Sequence, residues 1–446
     1  MDSLCARIGR DYLLRGWSDC PVALVDRWYG NFIIPCEAYG YVLRSCDGEC
    51  DLSSPAFTPA HRRQLEWLAD RGYVEYCARG EGPDDVQKYI YTPCPRLTTL
   101  SWAITDACNL HCLHCFMESP GRAVAADADT VPRILREIER AHVPFVSLTG
   151  GEPLLSPHFR DIVRELSAAG TRITEISTNA TLLNDGVLDD LLSCGQRPDL
   201  LVSYDGCGVH DAIRGARGLE ERVLRAAENA LARGFIVVMV TTLMQQNIDA
   251  LMPTYIRLKA LNPSGWFVNR AQSTGLYRNE KRLSTADAAR ACSALHAAWL
   301  RDGRPFPIMT EQFQAERKKV PYTPESPECV GQTCGAFLLP DGTLMPCPGF
   351  VGATVQSEMP SILTDGLIEA WGSEPILGFR GAKKAARLAK NPECAACPHF
   401  KDCGMGCRAY ALTEGGSIDG RDPDACEIFT RNWRYDSDEK ERRATL

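Results

Sequence analysis

The sequence predicts an α/β fold in which a parallel sheet curves into a partial barrel, and two observations support this prediction. First, six short β-rich runs alternate with amphipathic helical stretches across residues 96–277, and strands that alternate with helices form parallel sheets. Second, cysteine and glycine-glutamate motifs directly follow the first two runs. Parallel sheets bind ligands at the carboxyl ends of their strands, so we expect the functional site at that edge.

The predicted elements follow from residue periodicity. In the first helix, apolar residues recur at helical spacing from Val131 to Ile138, behind Thr130 as the N-terminal cap. The six predicted strands are 98–105, 144–149, 172–177, 200–204, 236–242 and 265–269. The helices between them are 130–142, 158–169, 185–194, 219–233 and 249–261. This order predicts a partial (β/α)6 barrel.

Residues 1–95 predict a separate α+β domain of the winged-helix type. Thr58 and Gly72 are typical of the two ends of one helix. The predicted elements are a strand at 27–34, a helix at 58–71 and a two-stranded wing formed by 73–77 and 88–91.

Three further regions complete the predicted organisation. Residues 278–328 form a bridge with one helix at 285–300, and residues 329–432 form a cysteine-rich domain. Residues 433–446 form a highly charged tail, which we expect to be frayed.

The composition limits the possible partners. A formal net charge of −8 argues against nucleic acid as a partner, because binding to its phosphate backbone requires a basic face. No apolar stretch approaches the ~20 residues of a transmembrane helix, and the amino terminus has no apolar signal core. We therefore expect no membrane partner and a cytoplasmic location.

Twenty-one cysteines in a long chain without a secretion signal favour metal ligation over a disulfide framework. Cys108, Cys112 and Cys115 are the most informative, because three thiolates at this spacing can bind one face of an iron–sulfur cluster. A fourth local cysteine is missing, so one iron would keep an open position. The alternatives are a zinc knuckle or reduced thiols in the core.

This C-x3-C-x2-C run resembles the radical S-adenosylmethionine (SAM) superfamily. The resemblance implies a [4Fe–4S] cluster whose unligated iron chelates SAM and cleaves it reductively to a 5′-deoxyadenosyl radical. An external one-electron donor of the flavodoxin or ferredoxin type would supply the electron. The residue before the last cysteine is usually aromatic in that family, and here it is His114.

Further motifs at the next strand ends match the same superfamily. Gly150, Gly151 and Glu152 resemble the motif that binds the amino group of SAM. Ser177 and Asn179 resemble the run that contacts the SAM ribose.

Arg214 is a candidate for the SAM carboxylate, because a guanidinium can bind a carboxylate with two hydrogen bonds. A structural ion pair between Asp211 and Arg214 on a surface turn is the alternative.

The carboxyl third resembles the SPASM extension, which holds two auxiliary [4Fe–4S] clusters. Zinc ribbons are the alternative. The resemblance implies two interleaved ligand sets: Cys329, Cys334, Cys347 and Cys407, and then Cys394, Cys397, Cys403 and Cys426. The chain would then hold three [4Fe–4S] clusters in addition to SAM.

Residues 40–49 and 72–75 resemble the peptide-recognition domains of enzymes that modify ribosomally made peptides. A generic small domain packed on the barrel is the alternative. The resemblance implies a maturase that binds the leader of a precursor peptide and abstracts hydrogen from the peptide. A thioether or carbon–carbon crosslink, or a related modification, would follow. The sequence identifies no general base and no hydrogen donor.

Three rival functions remain. Sulfatase-maturing enzymes usually carry an aspartate where this chain has Pro348. Radical SAM enzymes that act on tetrapyrroles or other small molecules have similar carboxyl ends, and only the amino-terminal domain argues against them. A multi-cluster electron carrier would have no use for Gly150, Gly151 and Glu152.

Overall fold

The structure is a computed structural model that describes residues 4–28, 33–119, 129–310, 313–315 and 320–436. Among these residues, no helix is both long and apolar enough to cross a membrane. Part of the predicted strand at 27–34 and most of the predicted charged tail lie outside the described residues.

The amino-terminal region contains two small sheets and a capped helix. Its elements are β1 (Cys5–Ile8), β2 (Tyr12–Trp17), β3 (Cys20–Asp26), β4 (Ile33–Pro35), α1 (Gly40–Arg44), α2 (Pro59–Ala69), β5 (Val74–Cys77) and β6 (Ile90–Thr92). The prediction of α2 is confirmed. Thr58 Oγ1 accepts the His61 N–H at 3.3 Å, and His61 Nδ1 accepts the Thr58 N–H at 3.4 Å, which closes a capping box.

The predicted wing is wrong. The strands β5 and β6 do not pair with each other: β5 pairs with β1 in a two-stranded antiparallel sheet, and β6 pairs with β2 in a four-stranded sheet of order β4-β3-β2-β6. Sequence reasoning missed β1 and β2, which pair with β5 and β6, and it also missed β3. Of the described residues in the predicted strand at 27–34, residues 27 and 28 form a turn after β3, and residues 33 and 34 belong to the short β4.

The central sheet confirms the predicted α/β barrel. Its elements are β7 (Thr99–Ala103), α3 (Thr130–Arg140), β8 (Phe145–Thr149), α4 (Phe159–Ala168), β9 (Arg172–Thr178), α5 (Asp185–Ser193), β10 (Asp199–Ser203), α6 (His210–Arg214), α7 (Leu219–Ala232), β11 (Val237–Leu243), α8 (Leu251–Leu261) and β12 (Gly265–Arg270). Neighbouring strands from β7 to β12 are all parallel. Buried residues recur along every one of these strands, mostly in alternation with less buried ones, which is why the sequence pattern located them.

The sheet extends beyond the six predicted strands at both edges. After α9 (Thr285–Arg301), the bridge adds β13 (Ile308–Met309) beside β12, and β14 (Gln314–Ala315) lies outside this sheet. The cysteine-rich region contributes β15 (Gly335–Leu338), which follows α10 (Gly331–Cys334) and pairs in parallel with β7, and then β16 (Leu344–Met345). The carboxyl third is therefore continuous with the barrel sheet.

Short helices form the rest of the carboxyl third. They are α11 (Ile362–Asp365), α12 (Leu367–Trp371), α13 (Glu374–Arg380), α14 (Lys384–Lys390), α15 (Pro392–Ala395), α16 (Phe400–Cys403), α17 (Arg408–Gly415) and α18 (Pro423–Thr430). The last strand, β17 (Tyr435–Asp436), pairs with β14.

One hydrophobic core joins the amino-terminal region to the barrel. Trp17 and Val25 of the small sheet belong to the same buried cluster as Leu100 and Ile138 of the barrel. Removing the amino-terminal region would expose this shared surface to water, which costs free energy in proportion to the apolar area.

Candidate functional site

The predicted motifs meet at one edge of the sheet. The cysteine loop leaves β7 at its carboxyl end, the Gly-Gly-Glu turn follows β8, Asn179 follows β9, and Asp205 lies just after β10. These four strands are parallel neighbours. The structure therefore brings these motifs to the edge where a parallel sheet binds ligands.

The cysteine loop places its three thiols close together. Cys108 interacts electrostatically with Cys112 and Cys115, and Cys112 is buried. Burial raises the pKa of Cys108 to about 11. In the metal-free chain this thiol keeps its proton at neutral pH, and binding of iron would release that proton.

Backbone hydrogen bonds hold the loop on two sides. The His111 N–H donates to the Arg214 carbonyl at 3.1 Å, and the Leu276 N–H donates to the Cys115 carbonyl at 3.0 Å. The loop is therefore fixed by α6 and by the segment that follows β12.

The Gly-Gly-Glu turn packs directly on the cysteine loop. Gly150 has a φ of +144°, and a Cβ there would lie 2.4 Å from the Thr105 carbonyl oxygen. Gly151 donates its N–H to that oxygen at 2.8 Å, and the Glu152 N–H donates to the Ala107 carbonyl at 2.9 Å. Any larger side chain at Gly150 would push the turn away from the loop.

Glu152 is completely buried and already has protein partners. Its Oε1 accepts the Thr178 hydroxyl at 2.7 Å and the Leu154 N–H at 3.1 Å, while Oε2 accepts the Asn179 N–H at 2.7 Å. Burial raises the pKa of Glu152 to about 7, although these hydrogen bonds act to lower it. Glu152 thus joins the end of β8 to the end of β9, a structural role that the sequence did not predict.

Asn179 links β9 to the cysteine loop. Its amide nitrogen lies 4.0 Å from Cys108 Sγ and donates to Asn109 Oδ1 at 2.9 Å. Its Oδ1 accepts the Thr181 hydroxyl at 2.7 Å. Ser177, the other predicted ribose contact, is half-buried in β9.

Arg214 is buried beside the cysteine loop, and its ion-pair partner is Asp205. The alternative pair with Asp211 is wrong, because Asp211 accepts three backbone N–H groups around the start of α7. Arg214 Nε donates to Asp205 Oδ2 at 2.6 Å, and Nη1 lies 3.5 Å from Cys112 Sγ. His114 Nε2 is 2.9 Å from the same Asp205 oxygen.

Asp205 is the charged centre of this group. Burial acts to raise the pKa of Asp205, but Arg214 and then His114 outweigh it and hold that pKa well below its usual range. Sequence reasoning gave no role to Asp205 or Thr178. The available signal was a carboxylate shortly after a predicted strand, at the same edge as the cysteines.

Three of the four thiols in the first predicted auxiliary set, those of Cys329, Cys347 and Cys407, interact electrostatically. Burial raises the pKa of Cys347 to about 12, and the nearby thiols of Cys407 and Cys329 raise it further. Cys334 ends α10 directly before β15.

In the second set, burial raises the pKa of Cys403, and the thiols of Cys397, Cys394 and Cys426 add to this effect. Within the described residues, no group of three Cys, His, Asp or Glu side chains could hold a single metal ion as placed. A four-iron cluster binds each thiolate to a different iron, so its ligands stand farther apart. Hydrogen-bond donors beside Cys112 and Cys108 suit such a cluster, because donors to the sulfurs stabilise its negative charge.

A cavity of about 450 Å³ lies between the cysteine loop and the carboxyl third. Its lining includes Asp106, Phe116 and Glu118 from the loop and Asp341 and Val351 from the carboxyl third. This volume is within the range of ligand sites. The cavity borders the cysteine loop just beyond the carboxyl end of β7.

A profile of the radical SAM superfamily matches residues 102–256, the segment that carries the cysteine loop and the three following motifs. The chain is a radical SAM enzyme. Membership implies a [4Fe–4S] cluster and SAM as cofactors.

Two curated relatives are similar over most of their length. The "AdoMet-dependent heme synthase" of Methanosarcina barkeri is 28% identical over 355 residues, which is 74% of this chain and 96% of that protein. The "Mycofactocin maturase MftC" of Mycobacterium ulcerans is 29% identical over 357 residues, which is 74% of this chain and 88% of that protein.

The fold is also similar to that of Streptococcus suis SuiB bound to its precursor peptide SuiA. The TM-score is 0.72 at 17% identity, and the likeness covers 95% of this chain and 100% of that chain. Only 5% of this chain is left unmatched, so most of the first 95 residues share the fold.

Replacing Cys108, Cys112 and Cys115 together by alanine should remove about four irons per chain from the reconstituted enzyme. The reason is that these thiols are the proposed ligands of the cluster that cleaves SAM. Iron and sulfide analysis with an assay for 5′-deoxyadenosine checks this. An unchanged iron content would show that the loop is not a cluster site.

Replacing Asp205 by Asn should destabilise the chain by about 3–5 kcal/mol, because it leaves the buried Arg214 without a counter-charge. The iron content of the Cys108 site should fall as well, since Arg214 then no longer stays beside Cys112. Asp211→Asn is the matched control, and it should cost only about 1 kcal/mol through a weakened helix cap. Equal iron content in both variants would contradict this role of Asp205.

Replacing Glu152 by Gln should weaken SAM binding and lower the free energy of unfolding by about 1–3 kcal/mol. Both oxygens of Glu152 accept hydrogen bonds, so the NH2 group of the glutamine would face a hydrogen-bond donor. Thermal melts of the metal-free chain and equilibrium binding of SAM to the reconstituted enzyme separate the two effects. The exposed Glu165→Gln is the control. Unchanged melting and SAM affinity in Glu152→Gln would refute both roles.

Proposed function

We propose that this radical SAM enzyme is a maturase of a ribosomally made precursor peptide. The amino-terminal region would bind the leader, and the core of the peptide would enter the cavity at the carboxyl edge of the barrel. The product would carry a thioether or carbon–carbon crosslink, or a related modification.

The observation that carries this proposal is the amino-terminal region itself. The structural likeness to SuiB, a structure with bound precursor peptide, covers 95% of this chain and therefore includes most of this region. Barrel chemistry alone does not require residues 1–95. A leader-binding role explains why the region is present and why its core is continuous with that of the barrel.

The cofactors have defined places in this proposal. When bound, the cluster at Cys108, Cys112 and Cys115 supplies the electron that cleaves SAM and releases the hydrogen-abstracting radical. Glu152 has two oxygens with about four acceptor positions, and three are filled by protein donors. The remaining position suits the ammonium group of SAM, whose charge would favour the ionised form of Glu152.

Other chain groups would position SAM and its cluster. The buried guanidinium of Arg214 holds Asp205 on one side and approaches Cys112 on the other. The Nε and Nη1 groups of Arg214 are therefore engaged by Asp205 and Cys112. A SAM carboxylate would bind only the remaining N–H groups of the Arg214 guanidinium. Asn179 and Ser177 lie at the end of β9, where the ribose would pass.

Two auxiliary clusters complete the proposed set of three. Electrostatic contacts among Cys329, Cys347 and Cys407 support one site, which Cys334 would complete, and contacts among Cys394, Cys397, Cys403 and Cys426 support the other. A flavodoxin or ferredoxin type protein would be the electron donor.

A tetrapyrrole substrate is the second candidate, because a heme synthase relative matches over 96% of its own length. The sulfatase-maturing alternative is weaker. Pro348 stands where that family usually has an aspartate, and it begins a short 3-10 helix, so it offers no base.

The leader is expected to add as a strand at β4, the edge strand of the four-stranded sheet. The Cys36 N–H donates to the Val22 carbonyl at 2.9 Å, and donors alternate in direction along an antiparallel strand. The N–H of Ile34 therefore faces β3, and that of Ile33 faces outward. Pro35 has no N–H at the next outward position. An added strand would use the outward groups of Ile33.

Replacing Ile33 by Pro should remove the outward donor while sparing the bonds to β3, so affinity for the leader should fall at least tenfold. A point variant is preferable to deletion of residues 1–95, since deletion would open the shared core. The measurement is fluorescence anisotropy with labelled peptides encoded by short reading frames beside this gene. Iron content and SAM cleavage without peptide should not change.

The control is Tyr91→Phe in β6, at the opposite edge of the same sheet. It should bind the leader like the original chain. If neither variant changed peptide affinity, the β4 edge would not be the leader site. If a tetrapyrrole bound tightly and no peptide did, the maturase proposal would fail in favour of the small-molecule function.

A further inference from the structure

A buried cluster of charges lies between the two auxiliary cysteine sets. It consists of Lys384, Arg387, Arg408 and Glu328, which we call the cationic bridge. Lys384 is 1% exposed, Arg387 2% and Glu328 8%. Buried cations are costly unless nearby anions compensate for them.

Lys384 connects the bridge to the second cysteine set. Its Nζ donates to the Gly404 carbonyl at 2.6 Å and lies 3.4 Å from Glu328 Oε2. Gly404 directly follows Cys403, and Lys384 interacts electrostatically with that thiol.

Arg387 occupies the middle of the bridge. Its Nη1 donates to Glu328 Oε2 at 2.8 Å, and its Nη2 donates to the carbonyls of Met405 at 3.2 Å and Gly420 at 2.6 Å. The single carboxylate of Glu328 is therefore shared by two cations.

Arg408 connects the bridge to the first cysteine set. It directly follows Cys407, its guanidinium lies 4.8 Å from the centre of the Phe379 ring, and it interacts electrostatically with Cys329 and Glu328. Within the described residues, its Nε and Nη1 are buried without a hydrogen-bond partner. Two buried donors without protein acceptors would suit the negatively charged sulfurs of a bound cluster.

The charges of the bridge do not balance. Three cations surround Glu328, and Arg408 also interacts electrostatically with Asp419, which is paired with Lys390. The buried carboxylate of Asp422 accepts backbone N–H groups of Cys407, Asp424 and Ala425. A [4Fe–4S] cluster with four thiolates carries a net negative charge that grows on reduction. A neighbouring cation in a medium of low dielectric stabilises the reduced form more than the oxidised form.

We propose that the cationic bridge raises the reduction potentials of both auxiliary clusters. Lys384 would act on the cluster at Cys394, Cys397, Cys403 and Cys426, and Arg408 on the cluster at Cys329, Cys334, Cys347 and Cys407. This inference rests on the proposed assignment of the two auxiliary sites. These are positioning and tuning residues that do not touch the substrate.

The test is a redox titration of the full-length reconstituted enzyme, followed by electron paramagnetic resonance. Lys384→Met should make one auxiliary cluster harder to reduce, with at least a tenfold change in the reduced-to-oxidised ratio at a fixed potential, or 59 mV for one electron. Arg408→Met should do the same to the other cluster. Glu328→Gln removes the negative charge, so it should shift the ratios in the opposite direction.

The control is Lys390→Met, on the exposed side of α14, the helix that also carries Lys384. This variant should not shift the reduction potential of either auxiliary cluster. A purely structural role of the bridge would not produce shifts of opposite sign. If Lys384→Met fails to take up iron, Glu328→Gln and Arg408→Met decide the question.

Iron analysis separates the two possible failures. If the unmodified chain binds only the four or so irons of the SAM cluster, the auxiliary sites and this inference both fall. If the auxiliary irons are present but no bridge variant moves a potential more than the control does, the inference alone is overturned.

Discussion

The close contact between the Gly-Gly-Glu turn and the cysteine loop is the constraint on which the site depends. Because Gly150 has no side chain, β8 can approach the Thr105 carbonyl, and Gly151 can donate to the same oxygen. The contact fixes Glu152 in a buried position where it ties β8 to β9. The parallel register of the strands then brings the cysteine loop and the groups that would contact SAM to one edge.

The sequence predicted the barrel well because buried residues recur along each barrel strand and the helices have apolar faces. It failed where pairing depends on distant segments. The strand β5 pairs with β1, about 70 residues away, and β15 joins the barrel sheet beside β7, and no local pattern encodes either contact. Arg214 was identified as functional, but its partner Asp205 was missed, because burial and three-dimensional proximity decide which carboxylate it meets.

The charges around the two kinds of cluster site differ. Beside the SAM cluster loop, Arg214 is paired with Asp205, so the ligand Cys112 has a nearby donor with its charge largely compensated. Between the proposed auxiliary sets, the buried Lys384 and Arg387 share the carboxylate of Glu328, and the half-buried Arg408 interacts electrostatically with the same group. The chain thus provides two electrostatic environments for clusters that would otherwise have similar chemistry.

The most direct test of the account is the fate of the hydrogen that the radical removes. The enzyme would be incubated with SAM and with the peptides encoded by short reading frames beside this gene, synthesised from fully deuterated amino acids. The 5′-deoxyadenosine that forms would then be analysed by mass spectrometry. A peptide maturase would give 5′-deoxyadenosine with one deuterium and a peptide whose mass is lower by the deuterium atoms that it has lost. Unlabelled 5′-deoxyadenosine in the presence of these peptides, with transfer instead from a deuterated tetrapyrrole, would contradict it.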